Sequence, residues 1–163
     1  MKFTAQEEYG LRCLLQVARD ETASMTIPEI ADREGLTPAY VAKLMHLLRE
    51  AGVVDSTRGQ KGGYRLAREA RQIDVAAVLA VLGGRLYSGE YCGRYPGTEG
   101  ECVHTVSCSI RSLWMGLDAV VQTALRKTTL ADLLCAEMEA ASAVDRRSDP
   151  PPLIPLQSLV GQA

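Results

Sequence analysis

Three cysteines, Cys92, Cys102 and Cys108, lie with nine and then five residues between them in a stretch that also holds Gly93, Gly97 and Gly100. Thiolates are soft ligands, and three of them close in sequence can hold an iron–sulfur cluster or, with one imidazole, a zinc ion. His104 falls inside the same stretch, so Cys92, Cys102, His104 and Cys108 could close a tetrahedral zinc site within one chain. The competing reading is ordinary loop cysteines or a disulfide. The glycines free the backbone to wrap around a bound group, and no secretory feature favours a disulfide. The two other cysteines, Cys13 and Cys135, sit in stretches of helical pattern and read as small buried hydrophobes.

A ligand loop needs elements to hold it. With 163 residues, 47% of them hydrophobic, the chain can build a core for one domain, or for one small domain plus an appendage. The first residues, Met1 to Glu8, hold no apolar signal-peptide core, and no apolar run reaches membrane-spanning length, so the expectation is a cytoplasmic protein with no membrane partner. The net charge of -2 does not advertise nucleic-acid binding, but averages hide patches. Between residues 33 and 71 eight bases (Arg33, Lys43, Arg49, Arg58, Lys61, Arg65, Arg68, Arg71) face four acids (Glu34, Glu50, Asp55, Glu69). A basic run is often only a solvated face, so the motifs around it carry the argument.

From Thr4 to Ala18 the residues Leu11, Leu14, Leu15 and Ala18 make an apolar stripe at helical spacing. Thr26-Ile27-Pro28-Glu29 is a capping box that opens a short helix ending near Glu34-Gly35. Thr37-Pro38 opens the next, with Val41, Leu44, Met45 and Leu48 on one face before Gly52. Two short helices about a tight turn form a helix-turn-helix, whose second helix enters the major groove and meets base edges with its N-terminal residues. On this reading Thr37, Pro38, Ala39, Tyr40 and Lys43 face DNA, and His46 contacts a phosphate or nothing. The bland alternative is a helical hairpin with no DNA role. Val53, Val54 and Ser56 then read as a strand, Arg58-Gly59-Gln60-Lys61-Gly62-Gly63 as a basic hairpin tip, and Tyr64-Arg65-Leu66 as the returning strand: a wing in which Arg58 and Lys61 supply charge and Gly59, Gly62 and Gly63 let backbone approach a phosphate. The fold class expected is mainly α with a small β wing.

With these residues in view, Ile27 to Leu82, and above all Arg58-Gly59 and Gly62-Gly63-Tyr64 beside a downstream three-cysteine loop, resembles the Rrf-two-type bacterial transcription regulators, the iron–sulfur winged-helix group that includes IscR, NsrR and RirA. The resemblance extends to about Ala143. It implies a homodimer of winged helices on double-stranded DNA, each subunit extending a long helix against its partner, with a cluster near the base of that helix. The residues agree: Ile110, Leu113, Trp114, Leu117, Val120, Val121, Ala124 and Leu125 repeat at three and four residues over a stretch too long for a small domain to cover alone. Two-fold dimers suit palindromic operators.

The resemblance also frames the fourth ligand. IscR-type members place a histidine three residues after the third cysteine, where this chain has Arg111. NsrR-type members use a carboxylate near the N-terminus of the other subunit, and the matching residue here is Glu8, with Glu7 a weaker choice. Glu8 can equally be a solvated acid favoured by a helix dipole. The ligand set expected is therefore Cys92, Cys102, Cys108 and Glu8 around a 4Fe-4S cluster, with 2Fe-2S second and zinc with His104 as the alternative. The first cysteine spacing, nine residues where relatives have about five, keeps that alternative open.

The layout expected is a winged helix-turn-helix domain over 1–83, a cysteine loop over 84–108, a dimerisation helix and a final helix opened by Thr129-Leu130-Ala131-Asp132 over 109–143, and an irregular proline-rich tail over 144–163. No nucleophile, base and orienting group share a coherent spacing, and there is no phosphate loop, so catalysis is not expected.

Overall fold

The computed structural model describes residues 3–20, 22–57, 62–84, 87, 93, 98, 100, 102, 104 and 107–144, with side chains to 139. Helix α1 runs over Ala5–Ala18, beginning one residue later than the apolar pattern suggests because Thr4 serves as its cap. Thr4 Oγ1 accepts the Glu7 N–H at 3.2 Å and the Glu7 carboxylate accepts the Thr4 N–H at 2.6 Å. Helix α2, Ile27–Glu34, starts in the same way from Thr26 and Glu29, and ends at Gly35, whose φ of 65° is the left-handed conformation that glycine adopts without strain. Helix α3, Pro38–Glu50, is capped by Thr37. The capping chemistry of both helices and the turn between them is as their sequences predict.

Strands β1 (Val54–Thr57) and β2 (Gly63–Leu66) pair antiparallel, with Val54 opposite Leu66 and Thr57 opposite Gly63. Val53 is buried but lies outside the ladder. A bridge from Met25 to Tyr64, with backbone bonds of 2.9 and 2.8 Å, fastens β2 to the segment before α2. This contact gives Gly63 a structural reason: a Cβ there would meet the Met25 backbone at 2.7 Å.

A 3-10 turn at Ala70–Gln72 leads to helix α4, Val75–Leu82, capped by Asp74, which accepts the Ala77 N–H at 2.8 Å. Leu14 and Val17 of α1, Ile30 of α2, Val41, Leu44, Met45 and Leu48 of α3, Val54, Ile73, and Val78 and Leu82 of α4 form one core. Helix α5, Ser109–Lys127, packs on α4. The α5–α6 connection is tied down by the Val75 N–H to Thr128 carbonyl and Leu130 N–H to Ile73 carbonyl bonds, both 2.9 Å. Helix α6, Leu130–Val144, opens with a Thr129–Asp132 capping box, inserts Leu130 into the core, and returns along α1, where Arg19 and Glu137 pair at 3.0 Å.

The apolar stripe of α5 divides in two. Trp114, Val121, Ala124 and Leu125 are half-buried, with the fully buried Asp118 among them. Ile110, Leu113, Leu117 and Val120 point away and are 61, 56, 43 and 67% exposed. Cys13 is buried, which pushes its thiol up to about 11, the inert state expected of it. Cys135 differs from expectation: α6 turns Leu130, Leu133 and Leu134 to the core, and Cys135, the next residue round the helix, is exposed.

At Gly63 an added methyl meets backbone, which cannot rotate away; at Gly10 it meets the flexible Leu82 side chain within a helix that favours alanine. Gly63→Ala should therefore cost about 1 to 3 kcal/mol of unfolding free energy and Gly10→Ala less, because replacing a helical glycine returns up to about 1 kcal/mol. Denaturant titration of both variants measures the difference, and equal losses would contradict the Met25–Gly63 contact.

Candidate nucleic-acid interface and cysteine loop

Helix α3 turns Val41, Leu44, Met45 and Leu48 inward, so its opposite face is displayed by the core itself. Thr37, Pro38, Ala39, Lys43 and His46 are exposed on it. Tyr40 is half-buried, its ring edge-on to Tyr9 at 6.1 Å, and it thus joins the packing that sets α3 against α1. The Arg12 guanidinium lies 5.5 Å from the Tyr9 ring and pairs with Glu34 at 2.7 Å, which raises its affinity for its proton. One chain of contacts thus links α1, the end of α2 and the start of α3.

The ion pairs sort the basic surface. Arg49 is engaged by Glu50 at 2.8 Å, an interaction that holds the Glu50 carboxyl below the usual carboxylate range, and Arg71 is engaged by Glu69 at 2.5 Å. His46 Nδ1 is 3.2 Å from the Arg49 guanidinium, so His46 belongs to this surface cluster. Lys43, Arg65 and Arg68 are exposed and enter no ion pair among the described residues. Charges already compensated within the protein give less to a phosphate than those that are not.

At the neck of the wing Thr57 Oγ1 accepts the Gly63 N–H at 3.2 Å. Tyr64 is half-buried through its bridge to Met25, and Gly62 stands beside it. Arg58, Gly59 and Lys61, expected at the tip, lie outside the described residues.

Of the expected metal ligands, Cys92 also lies outside them, while Cys102 and Cys108 are half-buried and carry free thiols. Cys108 is the N-cap of α5: its Sγ accepts the Arg111 N–H at 3.3 Å. A sulfur at a helix N-terminus, with a backbone N–H directed at it, is well placed to carry the negative charge of a metal-bound thiolate. The donor set therefore fits a thiophilic group such as an iron–sulfur cluster in kind. Arg111, standing where a histidine ligand would be, instead donates from its guanidinium to the His104 carbonyl at 3.1 Å and braces the approach to α5. His104 is exposed. Among the described residues no three His, Cys, Asp or Glu side chains come together as a metal site.

Glu7 is engaged by its own cap and packs beside Gly83. Glu8 is exposed on α1, above a shallow groove between α1 and α6 lined by Leu11, Leu15, Leu133 and Ala136. Asp118 was not singled out in the sequence. It is 2% exposed, and its Oδ1 accepts the Tyr87 N–H at 3.4 Å. The signal available was its position inside the apolar stripe, four residues after Trp114 and three before Val121.

No helix among the described residues is long and apolar enough to cross a membrane. The model of the Rrf2 family, described as an iron-dependent transcriptional regulator, matches residues 3–136. The protein rrf2 of Nitratidesulfovibrio vulgaris is 34% identical over 136 residues, 82% of this chain and 87% of that protein. The HTH-type transcriptional regulator IscR of Vibrio atlanticus is 31% identical over 135 residues, 82% of this chain and 75% of that one. Among solved structures, T. potens IscR superposes with a TM-score of 0.67 at 30% identity, covering 86% of this chain and 90% of its own. CymR, the global cysteine regulator of B. subtilis, does so with 0.67 at 28% identity, covering 83% and 97%. These relatives are transcription regulators and not enzymes. The paired helices α2 and α3, the two-stranded wing and a family match over most of the length agree, and the chain belongs to the Rrf2 family of winged-helix transcriptional regulators.

Proposed function

We propose that this chain is a cytoplasmic, homodimeric repressor that senses through an iron–sulfur cluster, the cluster state setting its affinity for a palindromic operator. The observation that carries the reading is that one helix holds both parts of the device. Cys108 caps α5, and the same helix displays Ile110, Leu113, Leu117 and Val120 at three- and four-residue spacing, all of them exposed among the described residues. A seam of this spacing and exposure suits a second copy. Linkage then supplies the logic: a bound cluster changes DNA affinity only if it favours one dimer geometry, and DNA reciprocally favours that cluster state.

The ligands proposed are Cys92, Cys102, Cys108 and the partner subunit's Glu8. Glu8 is favoured over Glu7 because the Glu7 carboxylate is already committed to Thr4. The cluster, when bound, supplies a redox- and gas-sensitive group; 4Fe-4S is preferred and 2Fe-2S stands second. The residues proposed to face DNA are Thr37, Pro38, Ala39, Tyr40 and Lys43 of α3, and Arg58, Gly59, Lys61, Gly62, Gly63 and Tyr64 of the wing. Because structural relatives include a cysteine regulator as well as IscR, the fold does not name the signal; the cysteine loop is what favours a cluster. The zinc reading draws on His104, exposed and two residues after Cys102 in sequence, and would make the same loop a structural staple.

Cys108→Ala should abolish visible absorption and change operator affinity while sedimentation still gives a dimer. Unchanged absorption would reject Cys108 as a ligand. Arg58→Ala should weaken binding to every DNA sequence alike and reduce the slope of log affinity against log salt by about one, the signature of one lost phosphate contact. A slope equal to that of the unaltered protein in gel-shift titrations would remove the wing tip from the interface.

A further inference from the structure

Among the described residues the core is otherwise apolar, and Asp118, 2% exposed, is a buried carboxylate at the centre of the inner face of α5. Burial of a carboxylate costs several kcal/mol unless hydrogen bonds replace the lost water. Among the described residues no buried side-chain oxygen or nitrogen lacks a partner, so Asp118 meets that condition, in part through the Tyr87 N–H. A leucine at this position would have buried more apolar surface at no such cost. The carboxylate is explained by direction and not by stability.

The packing around it shows why direction is needed. Helix α4, with Val75, Val78, Leu79 and Leu82 buried, packs on α5, whose half-buried face includes Trp114, Val121 and Leu125. Apolar contacts of this kind are non-directional and tolerate rotation or sliding of one helix on another. A polar pair within them fixes one setting, the best-attested use of a buried polar group. Cys108 caps the same helix ten residues earlier, about 15 Å along its axis at 1.5 Å per residue. Rotation of α5 would therefore swing the Cys108 sulfur.

Resting on the metal-binding reading above, we infer that Asp118 is a positioning residue for the metal centre: by fastening Tyr87 to the inner face of α5, it fixes the rotation of the helix that carries Cys108. Tyr87 and Cys108 thereby both meet α5, one through the Asp118 carboxylate and the other as the N-cap.

The test compares the unaltered protein with Asp118→Ala, Asp118→Leu and Asp118→Asn, since Asn Oδ1 can accept the same bond. Two readings are taken: exchange of the Tyr87 amide in metal-free protein, and the rate at which a chelator removes iron from anaerobically reconstituted protein. Losing one hydrogen bond of about 1 kcal/mol should speed Tyr87 exchange about fivefold in Asp118→Ala, with iron release accelerated to a similar degree. Asp118→Asn should stay within about twofold of the unaltered protein in both readings. Asp118→Leu, which fills the space but accepts no hydrogen bond, should speed Tyr87 exchange and iron release as Asp118→Ala does, an outcome a mere packing role does not give. Unchanged Tyr87 exchange in Asp118→Ala would overturn the tie itself. Faster exchange with unchanged iron release would overturn the positioning role. If the unaltered protein takes up no iron, the metal-binding reading fails and the role falls with it, an outcome told apart from failure of the tie because Tyr87 exchange is read without metal.

Discussion

Helix α5 carries apolar residues around more of its circumference than the winged-helix domain can cover, and most of what is distinctive in this protein follows from that excess. Its inner half packs on α4; its outer half, from Ile110 to Val120, stays exposed. A continuous apolar seam left in water is unfavourable by roughly 25 cal/mol for each Å² that a partner could bury. On the proposed reading a second copy covers this seam, and the chain places a thiol at the start of the helix that displays it. The proposed ligand Cys108 and the proposed subunit seam therefore share one helix.

The side proposed to face DNA is governed by a different balance. Capping boxes at Thr4 and Thr26 and the Thr37 cap fix where three helices begin, and the Tyr9–Tyr40 and Arg12–Glu34 contacts fix how they meet. Pairing of Arg49 with Glu50 and Arg71 with Glu69 draws those cations into the protein's own electrostatics. Lys43, Arg65 and Arg68, unpaired among the described residues, keep their charge for a polyanion. A chain with net charge -2 can therefore present a basic face without being basic.

The elements that the sequence made legible are those set by local chemistry: the Thr26–Glu29 box, Thr37-Pro38 as a helix start, Gly35 as a helix stop, and the hairpin across Val54 and Leu66. What it left hidden depends on neighbours distant in the chain. Tyr40 and Tyr64 read as surface aromatics but are half-buried against Tyr9 and Met25, partners more than thirty residues away. The stripe on α5 was legible as apolar without saying which half its own domain would cover. Cys135 follows two inward leucines and reads as buried until the packing of α6 on α1 is known. Asp118 was not singled out in the sequence, and only the packing of α5 shows it to be buried. Of the ligand set, Cys102, Cys108 and Glu8 are placed, and Cys92 is outside the described residues.

The central claim is that the cysteine stretch holds an iron–sulfur cluster, and the most direct measurement is the visible absorption of protein purified without oxygen, with iron, acid-labile sulfide and zinc assayed on the same sample. The account predicts a brown protein with equimolar iron and sulfide, about four of each per subunit for the preferred cluster, that bleaches in air or nitric oxide. A colourless protein holding one zinc per subunit, or no metal at all, would contradict it.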